Sequence, residues 1–455
     1  MKVLSAHRLV PACIVSAAAV AALAVPGAAS ASLGTQCSGV NVTGQGASTQ
    51  KLAHQTVWGP GFNTSKSKAA CAGLKGQGSL GKPEVKYTST GSGAGLESWG
   101  ANKHAAVYDA TNGFIGTDEG PDANQKKEIE ENETTVTPNT LATIPVLQLA
   151  VSVIVHLPEN CVATSKKNAG RLELNNLTLE GIYRGTITKW SQITEDGDKL
   201  SGEGCNPEST ITPIARKDGS GTTHIFKRYL GLINGASFTT EKEESKTWNQ
   251  IAEGPENTTW PKAANIVKPT GTGGGALVAK VAETASSIGY AGLPDARANG
   301  GFTPGAGKGG PGTSKFWAPL QNNGLGTTKQ KFADPASNGD AEATADSNCK
   351  STEYTNGEVA FPPSSVFEPW NAVTTRTIEK KYPLCGLTFD LAFSSFASFP
   401  GTSLGEATSV HDYLKFVVDT KGGGGQKLIA GHDYLALPKG AVLTEAQEGA
   451  AAIGF

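Results

Sequence analysis

Four short segments of this chain repeat one design, in which a strand-like run leads into a turn of Gly, Ser and Thr and then into a helix-like run. They are GQGAST (residues 44–49), TGSGAG (90–95), GTDEG (116–120) and RKDGSGTT (216–223). A helix N-terminus presents unpaired N–H groups and a partial positive charge, so turns of this kind bind anions. Ser and Thr before a helix are also ordinary N-caps, and one such segment alone would favour that simpler interpretation. Four of them together favour an anion site.

The alternation of strand-like and helix-like runs predicts an α/β architecture with largely parallel sheets. Residues 85–88 and 287–290 have the composition of strands. The apolar run 141–157 is interrupted by Pro145, Gln148 and His156, which favours a buried strand over a membrane span. Residues 299–350 are rich in Gly, Pro, Asn and Ser, and we expect long loops there.

Charge and length narrow the function. The chain has 455 residues, with 39 Lys and Arg against 41 Asp and Glu, so its net charge is −2. No positive excess is available to release counterions from nucleic acid, so we expect no nucleic-acid partner. The length predicts two or three domains.

The first 31 residues have the pattern of a secretory signal peptide. A short basic head precedes an apolar run at residues 14–25, and small residues follow up to Ala31, after which we expect cleavage. Cys37 follows Gln36, which is too large for the residue that normally precedes a lipidated cysteine. The pattern predicts a secreted, extracellular or cell-envelope protein without a lipid anchor.

Six cysteines remain outside this segment, and an even number in an exported chain favours disulfides. Six cysteines allow 15 pairings, and the sequence alone does not choose among them. We favour the sequential pairing 37–71, 161–205 and 349–385 because each bond closes a short loop. We expect no metal and no other cofactor, because no His/Cys cluster has the spacing of zinc ligands.

Three enzyme interpretations fail on particular residues. GQGSLGK (residues 76–82) begins like a P-loop, but Pro83 stands where Ser or Thr would hold Mg²⁺. Ser220 lies between two glycines and does not form the G-x-S-x-G elbow. His224 follows closely, and we favour a histidine on the helix surface over a catalytic base. The sequence therefore predicts a protein that is not an enzyme.

The segment RKDGSGT (residues 216–222), followed by an aromatic-bearing helix, resembles the signature of phosphate-binding proteins of ABC transporters. The resemblance continues in order along most of the chain, at residues 44–48, 91–95, 114–118, 179–190, 273–275 and 288–290. It implies the two-lobed type II periplasmic-binding-protein fold, with strands that cross between the lobes as a hinge. Lobe one would combine residues 32–146 with 386–455, and lobe two would be residues 147–385, including an insertion around 299–350. The crossings would lie near residues 144–146 and 382–384.

The resemblance also implies a set of contacts to inorganic phosphate at the matched positions: Ser48, Thr49 through its backbone, Ser92, Asp118, Arg216, Ser220, Gly221 and Thr222. Asp218 is implied to steady Arg216. Phosphate near neutral pH always carries a proton and sulfate carries none, so a carboxylate at Asp118, which can only accept, would favour phosphate. The simpler interpretation of Asp118 is a solvated aspartate in a turn.

The chain departs from its resembled family at two site positions. Many relatives carry an aromatic residue at Thr49 and a second serine at Gly93. The implied partner beyond phosphate is the membrane permease of an ABC transporter, and we expect a monomer. Three alternatives stay open at this point: the same fold with another oxyanion, a secreted phosphatase or other hydrolase, and a surface protein that has kept the fold.

Overall fold

The structure is a computed structural model, and it describes residues 37–71, 82–103, 109–132, 140–164, 171–194, 199–234, 247–252, 257–300, 302, 314–323, 329–337, 345–349, 354–356, 360–375, 381–398 and 402–455. The predicted signal peptide (1–31) and most of the P-loop-like segment lie outside these residues, so those two predictions stay as predictions.

The strands are β1 (Val42–Gly46), β2 (Val85–Ser89), β3 (Phe114–Thr117), β4 (Leu141–His156), β5 (Val162–Ala163), β6 (Leu200–Ser201), β7 (Thr212–Pro213), β8 (Ser287–Gly292), β9 (Lys315–Trp317), β10 (Leu320–Gln321), β11 (Phe332–Ala333), β12 (Tyr354–Asn356), β13 (Val373–Thr375), β14 (Cys385–Phe393) and β15 (Tyr434–Leu435). The α-helices are α1 (Gly59–Thr64), α2 (Ser92–Ser98), α3 (Ala123–Glu131), α4 (Asn176–Arg184), α5 (Gly221–Asn234), α6 (Trp248–Ala252), α7 (Gly273–Glu283), α8 (Leu293–Gly300), α9 (Leu404–Val417), α10 (Gly425–Leu428) and α11 (Ala441–Ala452). A 3₁₀ turn (Ser48–Gln50) and a π-helix (Ala53–Trp58) join β1 to α1.

The strands and helices confirm the α/β prediction. Among the described residues the main sheet runs in the order β2-β1-β3-β14-β4-β8-β7, and β15 and β9 also pair with β4. The pairs β1–β2, β1–β3 and β7–β8 are parallel. The prediction of a largely parallel sheet is wrong for β4 and β14, which pair antiparallel with each other and with their outer neighbours β8 and β3. Strands β1, β2 and β3, and likewise β7 and β8, pair as expected for parallel β–α–β units. Strands β4 and β14 are not part of such units, since each runs antiparallel to the strand on either side of it.

Strand β4 changes partners along its length. Residues up to Ala150 pair with β14, and residues from Val151 onward pair with β8. This change of partner lies several residues beyond the predicted crossing at 144–146, where Pro145 instead sits beside a register shift in the β14 ladder. Proline has no N–H for a ladder bond and is accommodated at such irregularities. All of β4 except His156 is buried, which confirms the interpretation of residues 141–157 as a buried strand.

Local sequence signals place the helices. Helix α4 begins after Asn175, whose side chain accepts from Thr178 N–H, and ends at Gly185 with φ of 88°. A left-handed C-terminal residue of this kind is the usual place for glycine. Helices α5 and α7 begin two and three residues before the apolar runs that predicted them, so each helix includes glycine from the preceding turn.

The sequential disulfide prediction is confirmed. The bonds Cys37–Cys71, Cys161–Cys205 and Cys349–Cys385 are all formed, with sequence separations of 34, 44 and 36 residues. Cys385 is the first residue of β14, so the third bond ties the 345–349 segment to the strand beside β4.

The region 299–350 is not only loop. Strand β9 adds to the main sheet by pairing antiparallel with the end of β4, and Trp317 is fully buried there. The expectation of long loops is therefore wrong for this part of the region. The three-residue run KFW is too short to stand out as a strand among the Gly- and Pro-rich stretches around it. None of the helices formed by the described residues is long and apolar enough to cross a membrane.

Candidate functional site

Asp118 lies at the centre of the predicted site, in the turn that follows β3. The Thr49 hydroxyl donates to its Oδ1 at 2.5 Å, and the Thr222 hydroxyl donates to its Oδ2 at 2.7 Å. Thr49 comes from the 3₁₀ turn after β1, and Thr222 comes from the first turn of α5. Asp118 is 2% exposed, so the simpler interpretation of a solvated turn aspartate is wrong.

The environment of Asp118 favours its neutral form more than water does. Burial raises the pKa of Asp118 from its ordinary 3.8 to about 6, against the lowering effect of the two hydroxyl donors. Asp295 adds a repulsive contribution, and Arg216 opposes it. Above this pKa the carboxylate accepts hydrogen bonds only, and its two hydroxyl donors leave further lone pairs free to accept.

Helix α5 approaches this turn at Gly221. A Cβ on Gly221 would lie 2.7 Å from the carbonyl carbon and the Cβ of Asp118, and 2.7 Å from Glu119 N. Only a residue without a side chain allows this approach of the helix N-terminus to the acidic turn. Ser220, just before α5, accepts from Thr223 N–H at 3.2 Å and so acts as an N-cap, which is the simpler interpretation of that serine.

Arg216 is buried beside the same cluster. Its Nε donates to Asp218 Oδ1 at 2.8 Å, and its Nη2 donates to Asp218 Oδ2. A Cβ on Gly91 would lie 2.8 Å from Asp218 Oδ2 and 3.3 Å from Arg216 Nη2, so the turn before α2 packs on this ion pair. Gly273 N–H, at the start of α7, points at Asp218 Oδ2 from 3.4 Å. Three segments of the chain thus meet at one buried guanidinium–carboxylate pair.

Ser48 is held by Gly274, from the predicted 273–275 segment, and by Asp295, which the sequence did not single out. Its hydroxyl donates to Asp295 Oδ2 at 3.1 Å, and its Oγ accepts from Gly274 N–H at 2.9 Å. Burial raises the pKa of Asp295, and the Ser48 hydrogen bond lowers it. Asp295 lies in the first turn of α8, after the strand-like run SIGYAG, so the strand–turn–helix pattern could have found it. A cavity of about 180 Å³ opens between the Ser48 turn and α8, with Lys51 and Asp295 in its lining.

Ser92 and Gly93 begin α2. The Ser92 hydroxyl oxygen accepts from Asp118 N–H at 3.3 Å, which leaves its own proton available to a ligand. Gly93 N–H donates to Gly219 O at 3.2 Å, and a Cβ on Gly93 would lie 3.0 Å from Gly219 Cα. A side chain at position 93 would therefore crowd the backbone of Gly219.

All eight predicted contact residues therefore lie around one small region. Four residues contact Asp118: Thr49, Ser92, Gly221 and Thr222. The start of α7 connects Ser48 with the Arg216–Asp218 pair, and Arg216 interacts electrostatically with Asp118. Ser220 reaches the region through its neighbour Gly221. The expectation of a helix-surface position for His224 is wrong, since the residue is 3% exposed and its Nδ1 lies 2.9 Å from Glu119 Oε2. Within the described ranges no cluster of three or more His, Cys, Asp or Glu could hold a metal ion.

Comparison with known proteins identifies the family. The model of the PBP superfamily domain matches residues 31–346. The chain belongs to the PBP superfamily. The match runs through most of the region 299–350 that the sequence had set apart as an insertion, in agreement with the place of β9 in the main sheet.

Similar sequences are found among curated proteins. The phosphate-binding protein PstS of Xylella fastidiosa (strain 9a5c) is 28% identical over 200 residues, which are 42% of this chain and 45% of that protein. The phosphate-binding protein PstS of Pasteurella multocida (strain Pm70) is 28% identical over 170 residues, 37% of this chain and 38% of that protein. The chain thus spans less than half the length of the curated relatives it matches.

Similar folds are found among solved structures over a larger part of the chain. A phosphate-binding protein from Stenotrophomonas maltophilia matches with a TM-score of 0.56 at 18% identity, covering 90% of this chain and 93% of that one. The high-affinity periplasmic phosphate-binding protein PfluDING, solved with bound phosphate, matches with a TM-score of 0.55 at 18% identity, covering 91% and 93%. These likenesses show that the type II phosphate-binding-protein fold extends over most of the chain.

Proposed function

We propose that this protein binds inorganic phosphate in a cleft between two lobes, with Asp118 as the acceptor of the ligand's proton. The observation that carries the proposal is the position of Asp118, an almost fully buried carboxylate surrounded by donors from the β1 turn and α5. A site made only of donors would take any oxyanion. One acceptor among them selects an oxyanion that carries a hydrogen.

The donors have distinct roles in this proposal. Arg216 supplies the charge and the forked N–H groups, and Asp218 fixes the orientation of that fork. The N-terminal turn of α5 supplies N–H groups at Gly221 and nearby positions. Ser92 and Ser220 supply hydroxyl protons, since the hydrogen bonds described for them use their oxygens as acceptors.

In this proposal the two lobes have the bounds predicted from the sequence, residues 32–146 with 386–455 for the first and residues 147–385 for the second. Thr222 and Asp295 would belong to the second lobe, and their partners Asp118 and Ser48 to the first. Phosphate that contacts both groups of residues would stabilise the closed arrangement, by a hinge motion in β4 and β14. Binding of this kind involves no covalent step, and we infer that the protein is not an enzyme.

We further propose that the protein is exported and delivers phosphate to an ABC permease. Its three disulfides suit an oxidising compartment, and the curated relatives with similar sequence are phosphate-binding proteins. A monomer is sufficient for this role.

Calorimetry tests the binding proposal. Phosphate and sulfate are titrated into residues 32–455 after bound anions have been removed, and Asp118→Asn is measured beside the wild type. We expect binding of phosphate and not of sulfate by the wild type. In the variant we expect the preference to fall by at least about tenfold, because an amide can donate to an unprotonated oxygen.

The control is Glu131→Gln, a change to an exposed carboxylate near the end of α3, which should bind as the wild type does. Equal binding of both anions by the wild type would reject the proton-based selection. Absence of heat with either anion in a folded sample would reject phosphate as the ligand.

A further inference from the structure

His224 is buried on α5 with an acceptor at each of its ring nitrogens. Nδ1 lies 2.9 Å from Glu119 Oε2 and 3.2 Å from the carbonyl oxygen of Ala252. Nε2 lies 2.8 Å from the carbonyl oxygen of Asn371. Carbonyl and carboxylate oxygens only accept, so each nitrogen has to carry a proton for these contacts to be hydrogen bonds. These contacts fit a ring that carries a proton on each nitrogen, which is an imidazolium.

The imidazolium joins three separate segments of the chain. Glu119 is the neighbour of Asp118 in the acidic turn, His224 is in α5, and Asn371 is in the segment between β12 and β13. The acidic turn packs closely against both of these segments. A Cβ on Gly221 of α5 would lie 2.7 Å from Glu119 N, and a Cβ on Gly120 of the turn would lie 2.8 Å from Trp370 Cβ. The contact therefore spans the two predicted lobes at the residue that follows Asp118 in the chain.

We propose that protonated His224 is a positioning residue for Asp118, which clamps the acidic turn onto α5 and makes anion retention depend on pH. The proposal rests on the proposed phosphate site and adds to it a residue that touches no ligand. When the imidazolium loses a proton, one of its nitrogens faces an acceptor without a donor, and the Glu119 carboxylate loses its counter-charge. Either loss in a buried place is costly, and opening of the lobes would relieve both.

The described charged groups around the clamp agree with this assignment. The acidic turn presents Glu119 and, beside it, Asp118. On α5 itself Lys227 follows by one turn, and its ammonium donates to the carbonyl oxygens of Ile251, Asn257 and Thr259. Helix α6 has no charged residue and contributes only its Ala252 carbonyl, as the 370–371 segment contributes only that of Asn371. Among the charged groups of the described residues, the His224 ring is thus the one in direct contact with the Glu119 carboxylate.

The protonation state is tested directly by ¹⁵N NMR of imidazole-labelled protein (residues 32–455) with saturating phosphate. The resonances are assigned by their loss in His224→Gln. We expect both His224 nitrogens to be protonated near neutral pH. A neutral ring with one bare nitrogen at about pH 6, where an ordinary histidine is largely charged, would overturn the proposal.

Phosphate affinity tests the positioning role. We expect His224→Gln and Glu119→Gln each to weaken binding about tenfold, and the double variant to be no weaker than the weaker single variant, because both remove one contact. The ratio of variant to wild-type Kd should be larger at a pH at which the imidazole spectrum shows both His224 nitrogens protonated than at a pH at which it shows one bare nitrogen. The ratio is used because the titration of phosphate itself then cancels.

The matched control is His432→Gln, a partly exposed histidine in the segment between α10 and β15, which should leave affinity and its pH dependence unchanged. Additive effects of the two single variants, or a ratio that does not vary with pH, would overturn the clamp. If the wild type binds no phosphate, the proposed function fails. In that case the clamp is tested by the imidazole spectrum and by the free energy of unfolding, in which the effects of His224→Gln and Glu119→Gln should not be additive.

Discussion

The hydroxyl of Thr222 donates to Asp118 Oδ2 at 2.7 Å and so connects the first turn of α5 to the turn after β3. The two residues are 104 positions apart in the sequence. Their hydrogen bond lies at the proposed ligand site. The same contact therefore connects the two predicted lobes and influences the protonation of Asp118. The predictions below follow from this neighbourhood.

Replacement of Thr222 by Val keeps the shape of the side chain and removes this donor. We expect Thr222→Val to weaken phosphate binding by about five- to tenfold, the effect of about 1 to 1.5 kcal/mol for one hydrogen bond. The pKa of Asp118 should rise further, because the Thr222 hydrogen bond lowers it. Calorimetry and NMR titration of the Asp118 carboxyl carbon measure the two effects. Thr223→Val is the matched control, since its hydroxyl bonds to Tyr290 and not to Asp118; an equal shift of the Asp118 pKa in both variants would contradict the prediction.

The free energy of unfolding should depend on the charge of Asp118. Its pKa is raised from 3.8 to about 6 on folding, so the folded state holds the proton more tightly. Stability from this group is present in full below about pH 4 and is lost as pH rises through about 6, a total of roughly 3 kcal/mol. Denaturant unfolding of anion-free wild type and Asp118→Asn between about pH 4 and pH 7 measures it as the difference between the two curves. A constant difference over that range would show that Asp118 has an ordinary pKa.

The selectivity for phosphate over sulfate should depend on whether Asp118 is protonated. Above about pH 6 Asp118 is a carboxylate and rejects sulfate, whereas below it the protonated group can donate to a sulfate oxygen. We expect the preference for phosphate over sulfate to shrink as pH falls through about 6 in the wild type. In Asp118→Asn the low preference should persist at every pH. Competition of the two anions in calorimetry measures this, and a pH-independent preference in the wild type would contradict it.

A side chain at Gly221 should keep α5 away from the acidic turn. The added Cβ would lie 2.7 Å from backbone atoms of Asp118 and Glu119, which cannot move aside as a flexible side chain could. We expect Gly221→Ala to weaken phosphate binding by at least about tenfold, with a larger radius of gyration by small-angle scattering in the presence of phosphate. Gly422→Ala is the control, because no atom lies within 4 Å of a Cβ at that position. Equal scattering curves for the two variants with phosphate would show that the approach is not needed for closure.

The third disulfide should stabilise the hinge region. Cys349–Cys385 closes a loop with a sequence separation of 36 residues, for which the chain-entropy model gives about 4 kcal/mol. We expect the variant with both cysteines replaced by Ala to lose a similar amount in denaturant unfolding. The variant without Cys161–Cys205, a bond that lies beside the short β5–β6 pair, should retain phosphate binding. Loss of binding there, with binding intact in the Cys349–Cys385 variant, would contradict the placement of the hinge.

Sequence patterns were sufficient to predict the features that depend on interactions between residues close together in the chain. The strand–turn–helix repeats, the capping of α4 by Asn175 and Gly185, and the buried run of β4 each depend on neighbouring residues, so the α/β class could be predicted. The pairing of cysteines could be predicted because short loops close at the smallest entropic cost. The antiparallel pairing of β4 with β14 could not, because partners 240 or so residues apart leave no local signal.

The site divides in the same way. Asp118, Arg216 and the helix N-termini around them follow from glycine-, serine- and threonine-rich turns that the sequence displays. The carboxylate of Asp295 on Ser48, the Thr49 side chain on Asp118 and the burial of His224 against Glu119 were decided only by the tertiary structure. A residue type and its neighbours in sequence fix which hydrogen bonds a side chain can make. The partner that a buried side chain contacts is set by the packing of segments far apart in the chain. That packing also determines whether a buried carboxylate or imidazole is charged.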